Sequence, residues 1–176
     1  MPPERNRTYW DSCVFLSYIN ATPDRLPILD ALLAESDDPE NPREIVTSTF
    51  SIVEVAFELN EKAQGALDPA AESAIDALWS DRHAVKLIEF HEGIARDART
   101  LIRGALAMGR RSLKPGDATH LASARSLGAT EFHTYSKDLP RFSALTGLQI
   151  SEPFVYQPRM LEVGGVEPTA QGDTGG

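Results

Sequence analysis

Short β-forming runs alternate with longer helical ones along most of the chain, and this order restricts the fold more than any other feature. Arg7–Trp10 (RTYW) reads as a strand ending at Asp11. Ser12–Asn20 follows as a helix carrying Val14, Leu16, Tyr18 and Ile19. After the ATPD break, Arg25–Ala34 (RLPILDALLA) is a second helix, and the polar ESDDPENPRE loop leads to a short strand at Ile45–Thr47. Ser51–Gln64 is a long helix ended by Gly65, and Asp68-Pro69 opens another that runs to about Trp79. Asp as cap and Pro at the first helical position is a good start signal. Ala84–Ile88 reads as a strand, His91–Arg111 as the longest helix, and Lys114–Leu127 (KPGDATHLASARSL) as the helix after it. Glu131–Thr134 and Leu148–Ser151 are the remaining strands. Strands separated by helices predict a mainly parallel sheet of about four to five strands with helices on both faces. In such sheets ligands gather beyond the carboxyl ends of the strands. Asp11 stands at one such end and the turn after Thr134 at another.

A chain of 176 residues can bury its own core as one domain. Residues 1–156 read as that domain, and the Gly- and Pro-containing segment 157–176, poor in apolar residues, as a disordered tail. Cys13 is the only cysteine, which excludes an intrachain disulfide and a Cys-rich zinc site. The opening MPPERNRTYW lacks the apolar core of a signal peptide. No run approaches the roughly 20 apolar residues of a membrane helix. These features predict a cytoplasmic protein that does not enter membranes. The net charge of −9 argues against broad, non-specific nucleic-acid binding, though not against a local basic stripe.

Four acids hold positions from which they can act. Asp11 follows a strand and precedes a helix, where Asp is also a favoured cap. Glu54 lies in STFSIVEVAFELNEK, and Ser51-x-x-Glu54 spells a capping box. Yet its neighbours Phe50, Ile52, Val53, Val55, Ala56 and Phe57 are apolar, and an acid among them needs a partner. Asp117 sits at or just inside a helix start, with His120 three residues on along the same face. Asp138, in EFHTYSKDLPRF, follows the fourth strand and can also cap a turn before Leu139-Pro140. Carboxylates brought together at the carboxyl edge of a parallel sheet repel unless a cation joins them. Hard oxygen ligands select Mg²⁺ or Mn²⁺. Such ions activate water and stabilise an attacked phosphodiester.

From Thr8 to Pro153 the chain resembles the PIN-domain family, and within it the VapC-type toxins of toxin–antitoxin pairs. YWDSCVFLSYI is similar to the family's first motif, with Asp11 followed by Ser12 in the small-hydroxyl place. TSTFSIVEVAFEL resembles the second, carrying Glu54, and KPGDATHLASARSLGA the third and most specific, carrying Asp117. FHTYSKDLPRFS resembles the fourth, a strand ending in Thr134 before a turn. The resemblance implies a three-layer α/β/α fold and a Mg²⁺- or Mn²⁺-dependent endoribonuclease. Asp11, Glu54 and Asp117 would hold the ion, which would orient water for in-line attack on an RNA phosphate. It also implies a homodimer, and neutralisation by an antitoxin encoded beside the toxin. The fourth motif departs from the usual Thr-x-Asp. Ser136 stands at the acid's place and the next acid, Asp138, comes two residues late. Either Asp138 bends back into the site, or three acids serve with Ser136 holding a water. The rival to the nuclease is a PIN-like protein that binds RNA or a partner without cutting. A plain α/β domain whose acids are all caps is the third reading.

Arg96, Arg103 and Arg110 recur every seven residues on one face of the longest helix, a candidate track for RNA phosphates. Against this, Glu92 is placed to pair with Arg96 at i, i+4. The broad apolar face of the second helix (Leu26, Ile28, Leu29, Leu32, Leu33) serves either as core or as a surface for an antitoxin segment.

Overall fold

The computed structural model describes residues 6–38, 43–59, 69–80, 85–109 and 113–155. Five strands lie among them: β1 (Asn6–Trp10), β2 (Arg43–Ser48), β3 (Val85–Ile88), β4 (Glu131–His133) and β5 (Gln149–Ser151). Their order is β3-β2-β1-β4-β5, and every neighbouring pair is parallel. Seven α-helices accompany them: α1 (Ser12–Ile19), α2 (Leu26–Asp37), α3 (Phe50–Leu59), α4 (Pro69–Ser80), α5 (Glu92–Ala107), α6 (Pro115–Ser126) and α7 (Ser143–Thr146). The expected parallel sheet is present with all five strands. The second helix runs three residues further than its expected end at Ala34, and β2 begins at Arg43 rather than Ile45. Leu139–Phe142 forms a 3-10 turn leading directly into α7, both short of the length that sequence periodicity reveals. The expected tail, the end of the Ser51–Gln64 helix, and Arg110 and Arg111 fall outside the described residues.

Alternation along the strands sorts the core into two layers, because successive side chains point to opposite faces. Tyr9, Val46, Phe132 and Ile150 face α5 and α6, where Ile94, Ala98, Leu101, Ala118, Leu121 and Ala122 complete one cluster. Trp10, Ile45 and Val85 face the other way, onto Val14 and Phe15 of α1, Leu29 and Leu32 of α2, Val55 of α3 and Trp79 of α4. The result is a three-layer α/β/α sandwich. α5 and α6 meet through small residues, Ala98 and Ala105 on one and Ala118 and Ala122 on the other, and Gly104 of α5 admits α7. A Cβ on Gly104 would stand 2.9 Å from Leu145 of α7. Gly128, at φ +66°, closes α6, and the amide of Ala129 then reaches back to the carbonyl of Ala124.

The chain runs outward from β1 through β2 to β3, and later returns to place β4 on β1's other side. The crevice between the carboxyl ends of β1 and β4 is therefore the point at which the strand order reverses. Asp11 and Thr134 are the residues immediately past those two ends.

Candidate metal centre

Asp11 is both a cap and a cavity wall. It occupies the N-cap of α1 with extended backbone, and its Oδ1 accepts the Ser12 amide at 2.8 Å. Its Oδ2 accepts the Thr134 hydroxyl at 2.7 Å, so the β1 and β4 ends are tied together through this carboxylate. The residue is 6 % exposed. The fully buried Tyr9 and Trp10 before it leave little freedom in where it is carried.

Glu54 does not close a capping box. Ser51, its supposed partner, is buried and shares a proton with Thr47 Oγ1 at 2.7 Å. The Glu54 Oε2 instead accepts Ser12 Oγ at 2.5 Å and His120 Nε2 at 2.6 Å. Burial lifts this carboxyl, but the hydrogen bond and positive charge of His120, with Ser12 assisting, outweigh it and hold Glu54 below the usual carboxylate range. The other oxygen, Oε1, faces Gly116, where even a Cβ would come within 2.9 Å. Glycine at 116 is what lets α6 approach α3 here.

Asp117 is not the cap of α6. Lys114 holds that position, without a side-chain cap bond, and Pro115 opens the helix. Asp117 is the third residue of the helix, in its first turn, and lines the same cavity as Asp11 and Glu54. Its carboxylate makes no hydrogen bond among the described residues. Burial and then the charge of Asp11 raise its pKa, and His120 and Lys114 offset this only partly. A half-buried acid next to a second acid is an arrangement that a cation between them would stabilise.

His120 is fully buried and holds the site from behind. Its Nε2 serves Glu54 and lies 3.7 Å from Asp11 Oδ1. Its Nδ1 shares a proton with the Tyr9 hydroxyl at 2.8 Å, and that hydroxyl accepts the Ser48 amide at 3.1 Å. Burial disfavours the imidazolium. The Tyr9 oxygen, the Glu54 bond and the charge of Asp11 override that, and its pKa stands well above the ordinary value. Asp11, Glu54 and His120 bring ligand atoms within 4.8 Å of one another. His120 is better read as the support of Glu54 than as a ligand, because its ring nitrogens are already committed and a hard cation takes oxygen. Asp117 stands outside that close group but lines the same cavity, and the chemistry of three carboxylates suits Mg²⁺ or Mn²⁺.

The remaining expected residues separate. Ser12 supports Glu54, Thr134 supports Asp11, and Ser136 lines the cavity with its amide donating to Thr134 Oγ1 at 3.0 Å. Asp138 does not line that cavity. It is 66 % exposed, pairs with Arg141 at 3.3 Å, and borders an adjoining pocket that shares Asp117 and Ser136. Its position before Leu139-Pro140 is the N-cap of the 3-10 turn. On the long helix, Arg96 pairs with Glu92 at 2.5 Å and points to solvent, Arg103 is exposed, and neither lines the acid cavity. Of the second helix's apolar face, Leu29 and Leu32 are core and Ile28 is exposed.

Sequence reasoning did not identify Tyr9, Cys13, Leu16, Gly116 or Tyr135 as part of this region. Gly116 and Tyr135 had a local signal, since each adjoins a motif residue. Tyr9 had none, because its partner His120 is 111 residues away. Cys13 lines the cavity, but burial and then Asp11 push its thiol up to about 12.

A family profile described as PIN domain matches residues 8–145. No curated protein sequence matches the chain significantly. Among solved structures, it is similar to VapBC2 from Rickettsia felis bound to a DNA fragment from their promoter, with a TM-score of 0.61 at 15 % identity over 83 % of this chain and 98 % of that one. VapBC-1 from nontypeable Haemophilus influenzae gives 0.56 at 19 % identity, over 83 % of this chain and 97 % of that one. VapC20 from Mycobacterium tuberculosis, a Sarcin-Ricin loop cleaving toxin, gives 0.56 at 20 % identity, over 78 % and 94 %. At such identities these structures share the fold. With its profile match spanning most of the sequence, its β3-β2-β1-β4-β5 parallel sheet and its acids at the strand-order reversal, the chain belongs to the PIN domain family.

Proposed function

We propose that the protein is a metal-dependent endoribonuclease and the toxin of a toxin–antitoxin pair. The observation that carries this reading is Asp117: a half-buried carboxylate with no hydrogen-bond donor, raised by burial and by Asp11, in the cavity that Glu54 also lines. Its repulsion costs stability unless a cation binds there. Asp11, Glu54 and Asp117 would hold Mg²⁺ or Mn²⁺, which supplies charge for the attacked phosphate and an activated water. Thr134 and Ser12 fix the orientations of Asp11 and Glu54 respectively, each by a hydroxyl hydrogen bond. His120, braced by Tyr9, holds Glu54 from the side away from the cavity. With Asp138 outside the cavity, Ser136 supports binding through its hydroxyl and bound water rather than as a fourth acid.

An antitoxin partner is part of this proposal, supported by the toxin–antitoxin complexes among the similar structures. So is a homodimer, which sedimentation would check. No described helix is long and apolar enough to cross a membrane, in keeping with the cytoplasmic location proposed.

Ser136 in the cavity also favours a second reading, in which the site binds RNA without cutting it. Calorimetric Mn²⁺ titration of wild type and Asp117→Asn, with RNA cleavage assayed on wild type and Asp11→Asn, separates the readings. The nuclease reading expects wild type alone to bind Mn²⁺ tightly, and cleavage that needs both the ion and Asp11. Ion binding without cleavage favours the second reading. No Mn²⁺ binding by the folded wild type rejects both.

A further inference from the structure

The acid cavity adjoins a second pocket of about 290 Å³, and Asp117 and Ser136 belong to the walls of both. The second pocket differs in charge, because Lys114 and Arg141 line it as well. Lys114 stands at the N-cap of α6 without a side-chain cap bond, and the residue is exposed. Its charge reaches the acid cavity, where it offsets part of the rise in the Asp117 pKa. The Arg141 guanidinium carbon lies 4.8 Å from the centroid of the Phe142 ring, and Nη1 is 3.3 Å from Asp138 Oδ1. Two carboxylates, Asp117 and Asp138, therefore share the pocket with the two cations. Asp117 is committed to the ion in the reading above, and Asp138 is largely exposed, where water and salt screen its charge. With the ion bound, the balance in the pocket is positive, in a chain whose net charge is −9. A cleft of that sign gathers anions locally. Its volume equals roughly ten waters at ~30 Å³ each, which leaves room for a phosphate group with part of its hydration.

A strand whose attacked phosphate sits at the acids carries its next phosphate one nucleotide away. Resting on the ribonuclease reading above, we propose that Lys114 and Arg141 form a subsite for the backbone phosphate next to the one attacked. Lys114 supplies a point charge on a flexible stem, and Arg141 a planar fork that takes two phosphate oxygens. To do so the fork leaves Asp138, so that carboxylate competes with the phosphate for Arg141. The subsite reads charge and spacing and carries no information about the bases. It favours a strand with two consecutive phosphates, and a dinucleoside with a single phosphate at the acids leaves it empty.

The test is binding read by fluorescence anisotropy, with Ca²⁺ replacing Mn²⁺ so that the readout does not rely on cleavage. The probes are one short RNA strand and versions of it in which one linkage at a time is an uncharged methylphosphonate. Wild type, Lys114→Gln, Lys114→Arg, Arg141→Gln, the Lys114→Gln/Arg141→Gln pair and Asp138→Asn are titrated with each. On the intact strand Lys114→Gln should lose about 2- to 5-fold, as for an exposed ion pair. Arg141→Gln should lose about 10-fold, as for a hydrogen bond to a charged group. Lys114→Arg, which keeps the charge, should bind as wild type does, and Asp138→Asn, which removes the competitor, should bind more tightly. Lys114→Gln should also flatten the salt dependence by about 0.7 in log–log slope, the share of one single-strand phosphate contact. One uncharged linkage should weaken wild type, matter less to either single variant and leave the double variant unchanged. That coupling marks the phosphate held. The proposal is overturned if the double variant binds the intact strand like wild type, or if its loss is the same on every strand, as a role confined to the ion would give. It is equally overturned if Lys114 and Arg141 couple to different linkages, or if wild type binds no strand. Cleavage in Mn²⁺ is scored separately. Linkage-specific coupling without cleavage sinks the nuclease reading and keeps the subsite, and cleavage without such coupling does the reverse.

Discussion

Gly116→Ala should move stability and metal affinity in opposite directions. Gly116 is the second residue of α6 and has no positive φ, so alanine fits its backbone. The substitution reduces the freedom of the unfolded chain and should stabilise the metal-free protein by about 0.4–1 kcal/mol. For a chain of this size that is a rise in Tm of roughly 1–4 °C. The new Cβ, however, would stand 2.9 Å from Glu54 Oε1, where ordinary contact begins at 3.4 Å, so the carboxylate must retreat by about 0.5 Å. Oε1 can swing away while Oε2 stays held by Ser12 at 2.5 Å and His120 at 2.6 Å, so the metal-free protein keeps both bonds, but Oε1 leaves the place from which it would meet an ion. Metal–ligand distances tolerate only about 0.2 Å, and disturbing the groups that orient a ligand commonly costs about 10- to 100-fold in affinity. Thermal denaturation and Mn²⁺ calorimetry on the same sample should therefore show a higher Tm with Mn²⁺ bound about 10- to 100-fold more weakly. A raised Tm with unchanged Mn²⁺ affinity would refute the placement of Glu54 among the ligands. A lowered Tm would refute the claim that the side chain, rather than the backbone, absorbs the added methyl.

Asp138→Ala should leave Mn²⁺ affinity within about twofold of wild type, since Asp138 is a largely exposed partner of Arg141 and such pairs contribute little; a tenfold loss by calorimetry would return it to the site. Tyr9→Phe should destabilise the protein by about 1–3 kcal/mol in chemical denaturation, because the Ser48 amide and His120 Nδ1 each lose a buried partner; a cost below about 0.5 kcal/mol would mean that the relay carries no weight. Mn²⁺ affinity should fall on acidification earlier than for an ordinary aspartate of pKa about 3.9, because the raised pKa of Asp117 lets a proton compete with the ion sooner. Calorimetry across a pH series reads the effect, and Asp117→Asn, which has no such proton, should flatten it if it still binds. Cys13, with its thiol pushed up to about 12, should resist alkylation at neutral pH in the folded protein and react once unfolded; rapid native labelling, followed by mass spectrometry, would contradict this.

The fold was legible in the sequence because its signal is local. RTYW, VKLI and EFH are β-branched or aromatic runs, each separated from the next by helical periodicity, and a chain with that order has few packings other than a parallel sheet between helices. The boundaries that slipped, at Ala34 and Arg43, are where helix and strand propensities are weak and tertiary contact decides. The acids could be picked out one at a time, but a cap and a ligand look the same in sequence. Asp11 proved to be a cap that also faces the cavity, whereas Asp117 left the capping position to Lys114. Only the tertiary structure could tell Glu54 as a capping-box residue from Glu54 as the partner of Ser12 and His120, since those residues lie 42 and 66 positions away. The same holds for Asp138, whose distance from the cavity depends on the 3-10 turn that follows it. Local patterning states what each segment becomes. Which side chains meet is set by strand order and by close approaches such as that of Gly116 to Glu54, which bring together residues that the sequence keeps far apart.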